Sequence, residues 1–194
     1  MSVTTETQPK SQHVVWNLPN ILTLSRAGLA VVLFGLIHVK LWALALGLFI
    51  VAAFTDWLDG YLARKQGLTS ALGRNLDPLV DKVLICGAFI FLLPTPSIGL
   101  LPWMVTVIVA RELIVTGLRS FFEAHGVSFG ADWIGKIKMV LQCAALIAIF
   151  LELSLPTDQK ASLSAIRLAL VWAMLAATVV SGVQYLIKGA LQLR

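Results

Sequence analysis

The sequence predicts an all-α integral membrane protein, a bundle of six transmembrane helices with both termini on the cytoplasmic side. Of its 194 residues, 58% are hydrophobic and 13% are charged, whereas soluble domains carry about 25% charged residues. A helical span needs about 20 mostly apolar residues, so six spans would use most of the chain. The distribution of Lys and Arg then predicts the orientation.

Six apolar segments are separated by Pro, Gly and polar residues, which end helices. The third helix is expected to begin between Gly73 and Asp77 and to end near Pro94. The other predicted helices span 20–38, 41–65, 101–123, 133–153 and 165–191. Residues 1–19 are predicted to form a cytoplasmic tail or interfacial segment, and residues 20–194 the six-helix transmembrane domain. We expect no cleavable signal peptide, because the first residues are polar.

Most Lys and Arg residues fall in the N-terminal tail, the second and fourth connections and the C-terminus. Only Lys40, Lys160 and Arg167 fall on the other side of the predicted bundle. Cytoplasmic loops carry the excess of Lys and Arg. Both termini are therefore expected on the cytoplasmic side, and the chain is expected to cross the inner (cytoplasmic) membrane several times.

Four aspartates lie near the cytoplasmic end of the second and third predicted helices. Asp56 and Asp59 are three residues apart, and Asp77 and Asp81 are four apart, so each pair lies on one helix face. Clustered carboxylates in a membrane are costly unless positive charge compensates them. Oxygen ligands suit Mg²⁺ or Mn²⁺, so a divalent-metal site is predicted. The alternative is a set of salt bridges between helices.

The same segment carries the pattern D-x2-D-G-x2-A-R-x8-G-x3-D-x3-D. Its fixed positions are Asp56, Asp59, Gly60, Ala63, Arg64, Gly73, Asp77 and Asp81. The pattern resembles the signature of the CDP-alcohol phosphatidyltransferases. A chance match is on the order of 10⁻¹⁰ per starting position at ordinary residue frequencies. The six-span layout is similar to that family as well.

The resemblance implies a metal-dependent membrane enzyme, usually a homodimer, with its active site open to the cytoplasm. One or two Mg²⁺ or Mn²⁺ ions would bind the diphosphate of CDP-diacylglycerol, whose tails would lie in the lipid bilayer. Asp81 would be the general base and a further metal ligand. The other metal ligands would be Asp56, Asp59 and Asp77, and the nucleotide would be bound by Gly60, Ala63, Arg64 and Gly73. No nucleic-acid partner is expected.

Three further segments, NLPNILTLSR, VARELIVTGLR and DWIGKIKMVLQ, resemble the branch of the family that uses glycerol 3-phosphate as acceptor. A phosphate dianion requires a basic pocket, and Arg111, Arg119 and Lys136 are predicted to bind it. Glu112 is expected to point away from Arg111, because adjacent helical residues do not face each other. Lys136 and Lys138 are two residues apart, so we expect only one of them, Lys136, to face the site.

Several alternatives stay open from the sequence. The acceptor could be phosphatidylglycerol, inositol phosphate, inositol or serine. Arg119 and Lys138 could be simple cytoplasmic anchors, and Arg26 could contact substrate or lipid headgroups. Outside enzymes, a six-helix chain with intramembrane carboxylates could be a divalent-cation carrier. The internal repeats typical of transporters are not visible in the sequence.

Overall fold

The computed structural model describes residues 18–66, 71–126, 133–156 and 160–192. Side chains are described in these ranges except at 18–23, 56–66, 71–79, 81 and 161–162. This part of the chain holds six α-helices and no strand, so the all-α prediction is confirmed. The helices are α1 (Leu18–His38), α2 (Trp42–Gln66), α3 (Ala71–Leu92), α4 (Pro102–Ala124), α5 (Trp133–Ser154) and α6 (Lys160–Gln192). A 3-10 turn, Pro96–Ile98, lies between α3 and α4.

Four helices begin and end within two residues of their predicted bounds, whereas α3 and α6 begin earlier. Helix α6 starts at Lys160, five residues before the predicted start at Ala165. The segment 160–164 contains no Pro or Gly that would stop a helix, so the helix extends back toward Pro156. Helix α3 starts at Ala71, and it therefore includes Gly73 rather than beginning at or after it.

Contacts between helices fix one end of the bundle, which we call the distal end. The Phe34 ring near the end of α1 stacks on Phe91 near the end of α3, with ring centroids 4.9 Å apart. Arg167 near the start of α6 donates to Glu152 near the end of α5 over 2.6 Å, and to the carbonyl oxygen of Ile98. The distal end therefore groups the ends of α1, α3 and α5 with the start of α6.

The opposite end, which we call the cavity end, groups the start of α3, the second half of α4, the start of α5 and the last third of α6. Lys82 donates to Thr116 between α3 and α4, and Arg119 of α4 lies 3.2 Å from the hydroxyl of Tyr185 on α6. Helix α2 begins at the distal end, after the short turn 39–41. Its last segment, which carries Asp56 and Asp59, therefore runs toward the cavity end.

Helices α1 and α3 pack closely because α3 has a glycine at the contact. A Cβ atom added at Gly87 would lie 2.2 Å from Cζ of Phe34, which is too close for any real contact. The surrounding core is apolar and draws on all six helices. Its fully buried members include Leu33, Phe49, Phe89, Ile108, Ile149 and Met174.

The outer surface is also apolar, which fits a membrane protein. Monomeric soluble proteins rarely expose large contiguous apolar patches, yet here every helix exposes large apolar side chains. Examples are Val31, Val51, Ile90, Leu113, Val140 and Ile187. Two helical segments, Trp133–Ser154 and Leu163–Gln192, are long and apolar enough to cross a bilayer.

Candidate active site

A cavity of about 260 Å³ lies at the cavity end, between α3, α4, α5 and α6. Small-molecule sites are roughly 300–1,000 Å³, so this cavity suits a small ligand. Five of its lining side chains are cationic and one is acidic, which favours an anionic ligand. The charged members are Lys82, Arg111, Arg119, Lys136, Lys138 and Glu112, and the others are Ile85, Cys86, Val115, Thr116, Gly135, Met139, Gln142 and Tyr185.

Glu112 is the acidic centre of this cavity, and it is 5% exposed. Its carboxylate accepts a hydrogen bond from the ammonium group of Lys138, which is also buried. It also accepts from Nη1 of Arg111, at 3.2 Å and 3.3 Å from its two oxygens. The expectation that Glu112 points away from Arg111 is therefore wrong. The two side chains leave the helix about 100° apart, but both are long enough to bend toward the same cavity.

Two residues of α6 orient the arginines of α4. Nη2 of Arg111 donates to the hydroxyl of Ser181, and the guanidinium lies over the Tyr185 ring, 5.7 Å from its centroid. The hydroxyl of Tyr185 accepts from Nη2 of Arg119 over 3.2 Å. Gly182 leaves room for this arrangement, since a Cβ atom there would lie 3.2 Å from Cγ of Arg111.

Sequence reasoning missed both α6 residues. The available signal was the four-residue spacing of Ser181 and Tyr185, which puts two polar groups on one face of an apolar helix.

Lys136 and Lys138 both line the cavity, so the expectation that only one of them would face it is wrong. Lys138 is 4% exposed and engages Glu112. Lys136 is exposed, and its ammonium group lies 5.6 Å from the centroid of the Trp133 ring. Lys138 therefore belongs to the charge network of the cavity floor, while Lys136 lies at the cavity rim, where an entering anion would meet it.

The cavity adjoins the segment that carries the aspartate motif. Lys82, which lines the cavity, directly follows Asp81 on α3. Its ammonium group donates to Thr116, whose hydroxyl in turn donates to the carbonyl oxygen of Glu112 over 2.6 Å. Asp81, the general base predicted from the motif, is thus the neighbour in sequence of a residue that lines the cationic cavity.

The structure describes the four aspartates by their backbone alone. Asp56 and Asp59 lie on α2 and Asp77 and Asp81 on α3, and both segments are at the cavity end. Carboxylates one helical turn apart present oxygen ligands of the kind that Mg²⁺ and Mn²⁺ prefer, so the donor set fits such an ion. The side chains of all four aspartates, and those predicted to bind the nucleotide at Gly60, Ala63, Arg64 and Gly73, lie outside the described side chains.

Arg26 is 5% exposed on α1, so it is not an anchor on the protein surface. Its position differs from that of Arg111 and Arg119, because it does not contribute to the lining of the cationic cavity. The sequence left its role open, and in the structure its side chain is buried in the bundle.

The aspartate-bearing segments of α2 and α3 thus run toward the end of the helical bundle that holds the cationic cavity. The CDP-alcohol phosphatidyltransferase family matches residues 16–182 of this chain. The chain therefore belongs to the CDP-alcohol phosphatidyltransferases, which identifies it as a transferase enzyme rather than a cation carrier.

Individual relatives have one name in common. The chain is 44% identical over 142 residues to the Bacillus subtilis CDP-diacylglycerol--glycerol-3-phosphate 3-phosphatidyltransferase, which covers 73% of this chain and 70% of the relative. It is 38% identical over 141 residues to the Rickettsia typhi protein of the same name, covering 70% and 76%. It is 36% identical over 147 residues to the Arabidopsis thaliana enzyme 1, chloroplastic/mitochondrial, covering 68% of this chain and half of that relative.

Proposed function

We propose that this chain transfers the phosphatidyl group of CDP-diacylglycerol to glycerol 3-phosphate, giving phosphatidylglycerophosphate and CMP. The observation that carries the proposal is the cationic cavity next to the aspartate-bearing segment of α3. Its cations match a phosphorylated acceptor, whereas inositol or serine would not need them. The names of the relatives specify the same donor and acceptor.

In the proposed reaction, the primary hydroxyl of glycerol 3-phosphate attacks the β-phosphorus of CDP-diacylglycerol. A new O–P bond forms, the bond to the bridging oxygen breaks, and CMP leaves. Asp81 accepts the hydroxyl proton as general base. Arg111, Arg119 and Lys136 hold the acceptor phosphate, with Lys138 and Lys82 adding positive charge to the cavity. Binding in a preorganised cationic site fixes the acceptor without reorganisation at the moment of reaction.

The donor would be bound by the motif residues of α2 and α3. Asp56, Asp59, Asp77 and Asp81 would hold one or two Mg²⁺ or Mn²⁺ ions, which offset negative charge on the diphosphate. Gly60, Ala63 and Gly73 would leave space for the nucleotide, and Arg64 would lie near its phosphates. The acyl tails would remain in the bilayer, beside the apolar outer faces of the helices.

We further propose that all six helices cross the inner (cytoplasmic) membrane, with both termini and the cavity end on the cytoplasmic side. The alternating helix directions and the excess of Lys and Arg at the cavity end support this orientation. A homodimer is proposed as the functional unit, to be tested by native mass spectrometry in detergent. The topology test is labelling of Gly67→Cys after Cys86→Ala and Cys143→Ala, since an external reagent should not reach that position.

The decisive experiment for the function is an acceptor panel with the purified protein and labelled CDP-diacylglycerol. The panel contains glycerol 3-phosphate, phosphatidylglycerol, inositol phosphate, inositol and serine, and CMP release is measured alongside the lipid product. We expect rapid turnover with glycerol 3-phosphate and formation of phosphatidylglycerophosphate. Turnover confined to any other acceptor would refute the proposed acceptor but leave the phosphatidyltransferase chemistry intact.

A further inference from the structure

Among the described residues that line the cavity, Gln142 is an uncharged polar side chain whose amide nitrogen has no hydrogen-bond partner. Gln142 lines the cavity and is 2% exposed. Its amide nitrogen Nε2 is buried and has no hydrogen-bond partner among the groups that the structure describes. A buried donor without a partner costs about 1–3 kcal/mol, and native proteins contain few of them. A ligand that enters the cavity is one source of the missing partner.

Gln142 differs from the cationic residues in both depth and chemistry. It lies four residues beyond Lys138 on the same face of α5, about 6 Å further from the cavity end along the helix axis. The α3 residues that follow Lys82 in the lining are Ile85 and Cys86, which carry no charge. A carboxamide donates and accepts hydrogen bonds without charge, so it complements a hydroxyl group.

Glycerol 3-phosphate offers three polar groups, and the proposed function accounts for two of them. The phosphate is bound by the cations, and the primary hydroxyl must reach the phosphorus of the donor. The secondary hydroxyl has no assigned partner. This hydroxyl is uncharged. Its carbon is bonded directly to the two carbons that carry the phosphate and the primary hydroxyl, so it lies within the same small cavity.

We propose that Gln142 is a specificity-determining residue that hydrogen-bonds the secondary hydroxyl of the acceptor. This inference rests on the proposed function. A site built to hydrogen-bond a substrate hydroxyl rejects the analogue that lacks it, because its own polar group is then left unpaired. Gln142 thus selects a 1,2-diol phosphate over a phosphorylated alcohol of the same length that has no second hydroxyl.

The test compares two acceptors on two proteins, with CMP release as the common readout. The acceptors are glycerol 3-phosphate and 3-hydroxypropyl phosphate, which keeps the phosphate and the reacting hydroxyl. The wild-type protein should prefer glycerol 3-phosphate by roughly ten- to a hundredfold in kcat/KM. Gln142→Leu should lower kcat/KM for glycerol 3-phosphate by a similar factor. The same variant should change kcat/KM for 3-hydroxypropyl phosphate by less than about threefold, because that acceptor has no hydroxyl to bond the amide of Gln142.

Two further variants separate recognition from packing. Gln142→Met fills a similar volume without hydrogen bonds and should reproduce the loss of preference. Gln184→Leu makes the same chemical change on α6, at a side chain outside the cavity lining, and should keep the wild-type preference.

The proposal is overturned if the wild-type protein uses both acceptors equally. It is also overturned if the Gln142 variants lose activity equally on both acceptors, complete loss included. In either case, turnover of glycerol 3-phosphate by the wild-type protein would leave the proposed function standing. No wild-type turnover with glycerol 3-phosphate, alongside turnover with another acceptor of the panel, would instead refute the proposed function itself.

Discussion

Glu112→Gln should destabilise the protein and, at the same time, make its stability more dependent on phosphate. Glu112 is 5% exposed and neutralises two cations, buried Lys138 and partly buried Arg111. Removing one member of a buried ion pair costs about 3–5 kcal/mol, because the remaining charge stays buried without a partner. Since glutamine keeps one acceptor oxygen, we expect a loss near 3 kcal/mol. For a chain of this length that corresponds to a fall in Tm of about 6–12 °C.

A bound phosphate group would then take over the role of the lost carboxylate. If the affinity of the variant for glycerol 3-phosphate rises tenfold, the ligand stabilises it by an additional 1.4 kcal/mol, roughly 3–6 °C in Tm, at the same saturating concentration. The assay is thermal unfolding of the purified protein in detergent, with and without glycerol 3-phosphate. We expect the ligand-induced rise in Tm to be larger for Glu112→Gln than for the wild-type protein.

Glu152→Gln provides a matched control at the distal end. Glu152 is also 5% exposed and pairs with buried Arg167 at 2.6 Å, but it does not line the cavity. It should lose comparable stability and show no additional response to the ligand. Two results would refute the idea that the substrate phosphate can replace the negative charge of Glu112. One is an unchanged Tm for Glu112→Gln, and the other is an equal ligand-induced rise in Tm in both variants.

Four further predictions concern the reaction. Asp81→Asn should lower kcat by about 10²–10⁴-fold, while thermal unfolding shows a folded protein; full activity would exclude Asp81 as the base. Arg111→Gln and Lys136→Gln should raise the KM for glycerol 3-phosphate far more than that for CDP-diacylglycerol, with Lys160→Gln as the unaffected control. Tyr185→Phe keeps the ring beside Arg111 but removes the acceptor for Arg119, so the KM for glycerol 3-phosphate should rise a few-fold with little change in kcat; an effect on kcat alone would contradict a positioning role. EDTA should abolish activity and Mg²⁺ or Mn²⁺ should restore it, and turnover in metal-free buffer would rule out the proposed metal site.

The charged residues of the cationic cavity show how much local sequence rules can predict. Arg111, Arg119 and Lys136 were predicted from depth, charge type and resemblance, and all three line the cavity. One assumption that failed was the i,i+1 rule for Arg111 and Glu112. That rule describes where Cβ atoms point, whereas the reach of two long side chains depends on the space that neighbouring helices leave open.

Lys138 and Gln142 also show what local sequence rules could not predict, namely which face of α5 is turned inward. Both lie on the buried face of α5, and their spacing of four residues was visible in the sequence. Which face of α5 is turned inward could not be read from hydrophobic periodicity, because α5 is apolar on nearly all sides. The packing of α5 against α6 and α2 decided the orientation.

The sequence by itself determined the helical class, the approximate extent of the six helices and the family. These features depend on local quantities, namely the length of apolar segments, the position of Pro and Gly, and a motif within 26 consecutive residues. Only the tertiary structure decided that Glu112 is the counter-charge for Lys138, 26 residues away, and that Ser181 and Tyr185 orient the arginines of α4. Such pairings depend on helix rotation and side-chain reach, and both are set by how distant segments pack together.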